Sequence, residues 1–312
     1  MTAAPNSCHF GVPSPDPLCA GRQLVTRPFF VNLPARFAAQ QPEYVEYFLE
    51  NSLNPEIGLD TWALEKIDKT WHEQTARRFH ERGLRCSVHL PFFDLQPGSI
   101  DPGIREASRQ RLAQGLNTAR YYEPVHMVGH AAFRSELYQD FFSAWLINST
   151  RTWRQVLHTW ESHPPLHLEN VYEGDPGPIR DLVRELGPGV GFCLDIGHWH
   201  SFGGGRDRKN LTSWIQSMSP HIHHLHLHDN AGTEDQHLGI GQGNIPWLDL
   251  FAGLEFLDLV PGITLEPHTR EDLEQTLRFM TGHPFWFSRL GIPRRRTSEL
   301  IESIKESSNL LE

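Results

Sequence analysis

The sequence predicts an α/β protein built as a single (β/α)8 barrel of the TIM type. Short apolar segments alternate with longer amphipathic ones, and eight apolar segments are the number that closes a parallel barrel. The length of 312 residues, without an internal linker, suits one such domain. An open doubly wound sheet is the alternative. It would carry a glycine-rich turn after its first strand, and residues 29–34 (FFVNLP) contain no glycine.

The elements follow one another in a regular order. The strands are predicted at Phe29–Leu33, Pro55–Leu59, Arg85–Leu90, Pro124–Gly129, Leu166–Asn170, Val190–Ile196, Ile222–His228 and Gly262–Glu266. The helices are predicted at Tyr44–Glu50, Thr61–Arg82, Ile104–Tyr121, Leu137–Trp160, Ile179–Leu186, Leu211–Met218, Leu248–Leu257, Arg270–Met280 and Thr297–Leu311. We expect a poorly ordered lead-in over residues 1–26, rich in Pro, Ser, Ala and Gly, a barrel over 27–282, and a helical C-terminal extension over 283–312.

The composition argues against several classes of protein. The formal net charge is -10 and the chain has only four lysines, which disfavours a basic face for nucleic acid. The cysteines (Cys8, Cys19, Cys86 and Cys193) form no close pair. Without a secretory signal or a long apolar run, we expect a cytoplasmic protein with no membrane partner. Nineteen histidines are unusual and suggest a metal site.

Potential metal ligands occur at the ends of six predicted strands. In the seventh strand, His224, His226 and His228 alternate with leucines, so the imidazoles share one face. The candidates, in chain order, are His89, His126 or His130, Glu169, Asp195 with His198, His226 with Asp235 and His237, and Glu266. His126 and His130 share a face, and we prefer His130 because it is nearer the strand end. These side chains would meet at one mouth of a barrel, and their buried charge requires a cation. Imidazole and carboxylate suit zinc, manganese or iron.

Several motifs carry a family resemblance. Leu168-Glu169-Asn170, Leu194-Asp195-Ile196-Gly197-His198, His226-Leu227-His228-Asp229, Asp235-Gln236-His237, Gly241-Gln242-Gly243-Asn244-Ile245 and Leu265-Glu266-Pro267 stand in this order. They resemble endonuclease IV and, more broadly, the xylose-isomerase-like barrel superfamily of AP endonuclease family 2 type. The resemblance covers roughly residues 28–280 and is most specific in its second half.

The resemblance implies three zinc ions. His89, His130 and Glu169 would hold the first; Glu169 would bridge to a second, held also by Asp195, His226 and Glu266; and His198, Asp235 and His237 would hold the third. Sugar isomerases and epimerases of the superfamily resemble this chain only in Glu169, Asp195, His226 and Glu266, around one divalent metal such as Mn²⁺ or Co²⁺.

Charge favours a metal-dependent phosphodiesterase, with a sugar or sugar-phosphate isomerase or epimerase as the alternative. Three divalent cations among four carboxylates leave about +2, which suits a phosphodiester, whereas one cation among three leaves about -1. In the first function Glu169 would steer a proton; in the second, Glu169 and Glu266 would shuttle one between substrate carbons. A non-catalytic metal-holding protein is a third hypothesis, which the complete ligand set disfavours.

The segment after His89 departs from endonuclease IV, because residues 90–101 (LPFFDLQPGSID) are apolar and marked by prolines. We therefore expect a small phosphodiester or nucleotide-like substrate. The segment resembles the phosphodiesterase branch that opens the nucleotide loop of cobamides. Phe92 and Phe93 would wall the pocket, and His228 and Arg206 would contact substrate. Other residues considered were Arg134, Arg208 and Lys209 for phosphate, Tyr172 and Glu173 for substrate, His167 and His224 as core histidines, and His200 and His268 as partners of the ligands. The oligomeric state stays open.

Overall fold

The strands close into the predicted barrel. The computed structural model describes residues 26–309, and within them eight parallel strands pair in chain order, with the first strand beside the last. The strands are β1 (Phe30–Pro34), β2 (Asn54–Gly58), β3 (Ser87–His89), β4 (Met127–His130), β5 (Leu166–Glu169), β6 (Val190–Asp195), β7 (Ile222–Leu227) and β8 (Gly262–Leu265). The predicted fold class is confirmed. The predicted lead-in lies outside the described residues except for its last position, as do Cys8 and Cys19, and the three-part division of the chain stays a prediction.

Helices surround the strands. They are α1 (Ala35–Gln40), α2 (Glu43–Glu50), α3 (Thr61–Lys66), α4 (Lys69–Glu81), α5 (Pro102–Ala119), α6 (Ser135–Tyr138), α7 (Phe142–His158), α8 (Gly177–Leu186), α9 (Ile196–His200), α10 (Gly205–Arg208), α11 (Leu211–Met218), α12 (Trp247–Phe256), α13 (Arg270–Gly282), α14 (Pro284–Arg289) and α15 (Arg294–Asn309). Arg120–Tyr122 and Gln139–Phe141 form short 3-10 turns. None of the helices in the described range has the length and apolar character that crossing a bilayer requires.

Two long predicted helices are interrupted. The segment 61–82 divides into α3 and α4, because Ile67 is extended (φ -92°, ψ 126°) and the Asp68 carboxylate accepts a hydrogen bond from the Trp71 amide, 3.1 Å away, and so starts a new helix. The segment 137–160 is also interrupted, by the 3-10 turn at Gln139–Phe141. Hydrophobic periodicity continued across both breaks and could not reveal them.

The barrel interior is unusually polar. Large aromatic side chains, including Trp145, Trp153 and Trp214, are buried in the hydrophobic core with apolar residues of the strands and helices. Barrel interiors usually contain branched aliphatic residues. Here the interior contains a layer of buried polar side chains: Glu56, Ser87, His126, His167, His224 and Thr264. This polar layer lies directly below the carboxyl ends of the strands.

The loop after β7 is organised around one carboxylate. Asp229 is fully buried and accepts hydrogen bonds from the amides of Asn230, Gly241 and Ile245 and from the indole Nε1 of Trp247. These contacts fold the Gly-rich segment back against the strand end. Gly243 passes so close that a Cβ atom there would lie 2.3 Å from both the Asp229 carboxylate and the Asn230 carbonyl oxygen. Glycine is therefore required at this position.

We expect Gly243→Ala to destabilise the protein by about 2–3 kcal/mol, because the added methyl group overlaps atoms that cannot move without breaking the Asp229 hydrogen bonds. Gly282→Ala is the matched control: its Cβ would meet nothing within 4 Å, and its effect should not exceed about 1 kcal/mol. Urea unfolding measures both variants. Equal stability of the two variants would contradict the predicted close approach.

Candidate metal centre

Glu169 lies at the centre of a cluster of histidines at the carboxyl end of the barrel. Its Oε2 atom is 2.9 Å from His89 Nε2 and 3.2 Å from His130 Nε2. Its Oε1 atom is 3.2 Å from both His198 Nδ1 and His226 Nδ1. One fully buried carboxylate thus contacts imidazoles that come from β3, β4, α9 and β7.

A second group of carboxylates surrounds His226. Its Nδ1 atom lies 3.1 Å from Glu266 Oε1 and 3.9 Å from Asp195 Oδ2. Asp195 ends β6, and its Oδ1 accepts a hydrogen bond from the His198 amide at the start of α9. The Asp195 side chain is therefore fixed by the helix that it caps.

A third group lies on the loop after β7. Asp235 Oδ2 is 3.2 Å from His198 Nε2 and 2.9 Å from His237 Nε2. His237 has a positive φ of 52°, a conformation that is unfavourable for a residue other than glycine. The loop therefore holds His237 in place against local backbone strain.

Three histidines have Nδ1 beside a backbone carbonyl oxygen and Nε2 beside an acid. The Nδ1 atoms of His89, His198 and His237 lie 2.9, 3.1 and 2.8 Å from the carbonyl oxygens of Leu90, Asn170 and Glu266, respectively. When each Nδ1–H donates to its carbonyl, Nε2 is the nitrogen that can bind a cation once it has lost its proton. Metal-binding histidines are generally oriented in this way.

The electrostatics of the cluster also fit cations. Burial alone would raise the pKa of Glu169, but charges on His226 and His130 hold it well below its usual value. Burial opposes protonation of His198, yet Asp195, Asp235 and Glu169 raise its pKa well above normal. In the described part of the chain, the ion-pair partners of these acids are all histidines.

The spacing of the donor atoms is consistent with shared cations. Ligands about 2.0–2.1 Å from a tetrahedral zinc ion lie roughly 3.3 Å apart. The shortest nitrogen–oxygen distances around Glu169 and Asp235 run from 2.9 to 3.2 Å. Imidazole and carboxylate are also the donors that zinc, manganese and iron accept. The nine predicted ligands therefore converge, and their chemistry fits divalent cations.

The predicted substrate residues fall in different places. Phe92 stacks on His130 with ring centroids 4.4 Å apart, and Phe93 is 68% exposed beside it. Arg206 is exposed, and its side chain covers Gly232. The structure shows no contact between Arg206 and the acids of the cluster.

His228 lies inside the cluster, and its role as a substrate contact stays a prediction. Its side chain is fully buried, and its Nε2 atom lies 3.3 Å from Asp195 Oδ1 and 3.6 Å from Asp235 Oδ1. The ring also packs against Gly197, where a Cβ atom would lie 1.9 Å from it. The outward end of the strand suggested access to substrate, but the loop after β7 covers the ring.

The other histidines take supporting positions. His126 lies one layer below His130, with Nε2 3.7 Å from Glu56 Oε2, so His130 is the strand-four histidine that reaches Glu169. His200 Nδ1 lies 2.8 Å from Asn230 Oδ1, and the His268 ring stacks on His237 with centroids 4.1 Å apart.

Glu173 and Arg134, which the sequence suggested as contacts of substrate and of phosphate, both lie near the mouth of the barrel. Glu173 is buried and accepts hydrogen bonds from the amides of Phe133 and Val171; burial raises its pKa to about 7 despite these bonds. Glu173 therefore fastens the loops after β4 and β5. The Arg134 guanidinium lies 4.9 Å from the centre of the Tyr172 ring, so this arginine covers an aromatic ring at the mouth.

Glu56 is a further buried acid near the cluster that was not predicted from the sequence. It lies within β2 and is almost completely buried, with Oε1 3.0 Å from His226 Nε2. The ligands were predicted at the ends of strands, whereas Glu56 is the central residue of β2. The sequence feature that could have indicated it is an acidic residue between apolar neighbours in the strand predicted at Pro55–Leu59.

The sequence matches known proteins over most of the barrel. The profile of the xylose isomerase-like TIM barrel family matches residues 43–283. The uncharacterized protein MJ1311 of Methanocaldococcus jannaschii is 27% identical over 187 residues, which are 57% of this chain and 63% of that protein. A probable endonuclease 4 of Mycobacterium tuberculosis is 26% identical over 172 residues, 51% of this chain and 64% of its own length. The chain thus matches less than two thirds of the length of either relative.

Solved structures share the fold. A D-tagatose 3-epimerase-like protein superposes with a TM-score of 0.68 at 20% identity, covering 84% of this chain and 98% of that one. The TTHB071 protein from Thermus thermophilus, soaked with ZnCl2, gives 0.63 at 25% identity, covering 82% and 97%. Endonuclease IV from the same organism gives 0.59 at 18% identity, covering 84% and 99%.

We expect divalent cations to displace protons when they bind. Burial opposes protonation of His237, but Asp235 and Glu266 raise its pKa to about 9, and the pKa of His226 is also raised well above normal. His237 is therefore protonated at pH 7, and metal affinity should increase as the pH rises from 6 to 8.5. Calorimetric titration with zinc in buffers of different ionisation enthalpy measures the protons released. Release of no protons at pH 7 would contradict this charge assignment.

Proposed function

Because the chain belongs to the xylose isomerase-like TIM barrel family, we propose that it is a metal-dependent phosphodiesterase with a multinuclear zinc centre and a small, nucleotide-like substrate. One observation carries the proposal: the ligand groups form one continuous cluster. Glu169 joins the first group to the second, and His198 joins Glu169 to Asp235 in the third. A centre for a single metal would not require the first and third groups.

The charge of such a centre supports phosphate chemistry. Three divalent cations among Glu169, Asp195, Asp235 and Glu266 leave about +2, and the buried Glu56 below them reduces this to about +1. A single cation among the same acids would leave the site clearly negative. A positive site attracts a phosphodiester anion, whereas a negative site repels it.

The residues of the chain have distinct roles in this proposal. Bound cations would supply Lewis-acid charge and lower the pKa of water, so the protein does not need a strong base. Glu169 remains ionised near neutral pH because the imidazoles hold its pKa low. It therefore acts as a hydrogen-bond acceptor that orients a water molecule and steers its proton. Glu266 faces the same Nδ1 atom of His226, 3.1 Å away, and would bind the second cation together with Glu169.

Aromatic side chains at the mouth support a substrate with a planar group. Phe92 and Phe93 lie together, with centroids 4.4 Å apart, above the ligand His130. Tyr172 and Phe202 form a second pair, with centroids 5.3 Å apart. Planar bases stack on such rings, which contribute about 1–3 kcal/mol per base. A cobamide nucleotide loop has this chemistry and is our finer candidate.

The acidic chain favours a small molecule over duplex DNA, although the matched mycobacterial relatives are named as probable endonucleases. A sugar epimerase is the second candidate. Glu169 and Glu266 lie within 3.2 and 3.1 Å of the same His226 nitrogen, so two carboxylates flank one position, as proton transfer between adjacent carbons requires.

The Asp235→Asn, His237→Gln double variant tests the function. Hydrolysis of bis(4-nitrophenyl) phosphate by the zinc-loaded protein should fall by at least about 100-fold, because the third ligand group is lost. Glu234→Gln, an exposed charge change in the same loop, should leave the rate unchanged. Parallel assays use cobamides, abasic-site DNA and ketoses. Undiminished hydrolysis by the double variant would refute the third ligand group, and epimerisation of a ketose by a protein inactive on phosphodiesters would establish the second candidate.

The aromatic pair at the mouth generates a separate prediction. Phe93→Ala should raise KM by about 10-fold for a phosphodiester with an aromatic group, with little change in kcat, because the stacking surface lies outside the reacting centre. Phe256→Ala is the control, since this exposed phenylalanine ends α12 at the opposite end of the barrel. An equal KM for wild type and Phe93→Ala would show that substrate does not touch this ring.

A further inference from the structure

Glu56 is a buried acid that the proposed ligand set does not use. Two hydroxyl groups fix its orientation: Ser87 Oγ and Thr264 Oγ1 donate to its Oε2 atom from 2.9 and 2.8 Å. Its other oxygen, Oε1, then points to His226 Nε2, 3.0 Å away. The carboxylate is thus held in one orientation below the metal centre.

The hydroxyl of Thr264 also determines the state of a neighbouring histidine. Because its single proton goes to Glu56, it must accept a hydrogen bond from His224 Nε2, 2.8 Å away. His224 therefore carries its proton on Nε2. Burial lowers the pKa of His224, in agreement with a neutral ring. The layer below the centre has a defined direction of hydrogen bonding.

His226 is oriented opposite to His89 and His237. Those two rings face an acid through Nε2, but His226 faces Glu169 and Glu266 through Nδ1. His198 is intermediate, with Nε2 beside Asp235 and Nδ1 beside Glu169. For Nδ1 to bind a cation, the proton of the neutral ring must be on Nε2. The nearest acceptor for that proton is Glu56 Oε1. The two atoms are 3.0 Å apart, but their present alignment does not meet hydrogen-bond geometry, and within residues 26–309 neither atom forms a hydrogen bond to another group. The Cys193 thiol also interacts with the His226 ring, but burial raises the pKa of this thiol, so that it stays protonated and is a weak acceptor.

A cation held by Glu56 itself would be the other explanation. Donor atoms of Glu56, His224 and His226 lie within 4.8 Å of one another, and His126 Nε2 lacks a hydrogen-bond partner nearby. However, Thr264 already occupies His224 Nε2. With one cation bound at Nδ1, His226 could bind a second cation at Nε2 only if the ring lost both protons. Glu56 and His126 alone are too few ligands for a stable site.

We propose that Glu56 is a positioning residue for the metal centre: it accepts the Nε2 proton of His226 and thereby directs the Nδ1 lone pair toward the cation. The inference rests on the proposed function, since it requires that His226 be a ligand. A carboxylate in this position also increases the basicity of the imidazole.

Glu56→Gln is the sharpest test, because the two hydroxyl donors dictate how the amide is oriented. Its oxygen should take the place of Oε2, which turns the NH2 group toward His226 Nε2. The ring must then accept at Nε2 and carry its proton on Nδ1, where the cation should bind. We expect cation affinity, measured with Co²⁺ against a competing chelator, to fall by about 10- to 100-fold, and the visible spectrum of bound Co²⁺ to change.

Glu56→Asp keeps the charge but retracts the oxygen, and we expect an intermediate loss of affinity. Ser87→Ala is the control, since it removes one hydroxyl group but leaves Oε1 beside His226, and its Co²⁺ spectrum should match wild type. Urea unfolding confirms that the compared variants are folded; if Glu56→Gln is not, Glu56→Asp decides.

Two results would overturn the inference. One is wild-type affinity and spectrum in Glu56→Gln and Glu56→Asp. The other is loss of one full equivalent of metal in both Glu56→Gln and His126→Phe, which would make Glu56 a ligand of its own cation. Either can occur while the wild type binds zinc and cleaves phosphodiesters, so the proposed function would stand. A wild-type protein that binds no divalent cation would instead refute the proposed function.

Discussion

Compensation of buried carboxylate charge is the constraint on which this structure depends. Glu56, Glu169 and Asp195 are almost completely buried, and Glu266 and Asp235 are only slightly exposed. Within residues 26–309 their ion-pair partners are histidines, and no lysine or arginine forms an ion pair with them. Isolated charges at such positions would be very unfavourable. Protonated imidazoles or bound cations must therefore accompany the folded barrel, which couples its protonation to metal binding.

The same constraint explains why the histidines of the cluster are anchored in two different ways. His89 ends β3, and His198 and His237 lie beyond strand ends, so their rings can reach backbone carbonyls that do not belong to strand pairs. His226 lies inside β7, where backbone groups on both sides pair with β6 and β8. Its Nε2 atom instead lies 3.0 Å from the Glu56 carboxylate in the barrel interior. The polar interior thus accompanies a histidine that lies within a strand.

The sequence predicted the fold and most of the cluster because both follow from regular rules. Alternation of apolar and amphipathic segments predicts the barrel, and convergence of strand ends brings Glu169, Asp195 and Glu266 together. Glu56 was missed since its importance comes from a partner on β7, across the barrel and far along the chain. The position of His228 also depended on a distant segment, the loop that covers it. The breaks near Ile67 and Gln139 depend on local capping and turns, to which hydrophobic periodicity is insensitive.

The third ligand group distinguishes the two candidate functions. Unlike most of the cluster, its residues Asp235 and His237 lie on a loop and not on a barrel strand, and His237 has a positive φ. Backbone strain of this kind costs about 1–3 kcal/mol, and the surrounding structure must impose it. Here the hydrogen bonds of Asp229 fold the loop, and the rings of His228 and His268 stack on both faces of His237. A sugar epimerase with a single cation would gain nothing from this arrangement, whereas a phosphodiesterase gains a further cation. The strained loop therefore supports the proposed phosphate chemistry through the same third ligand group on which the charge count depends.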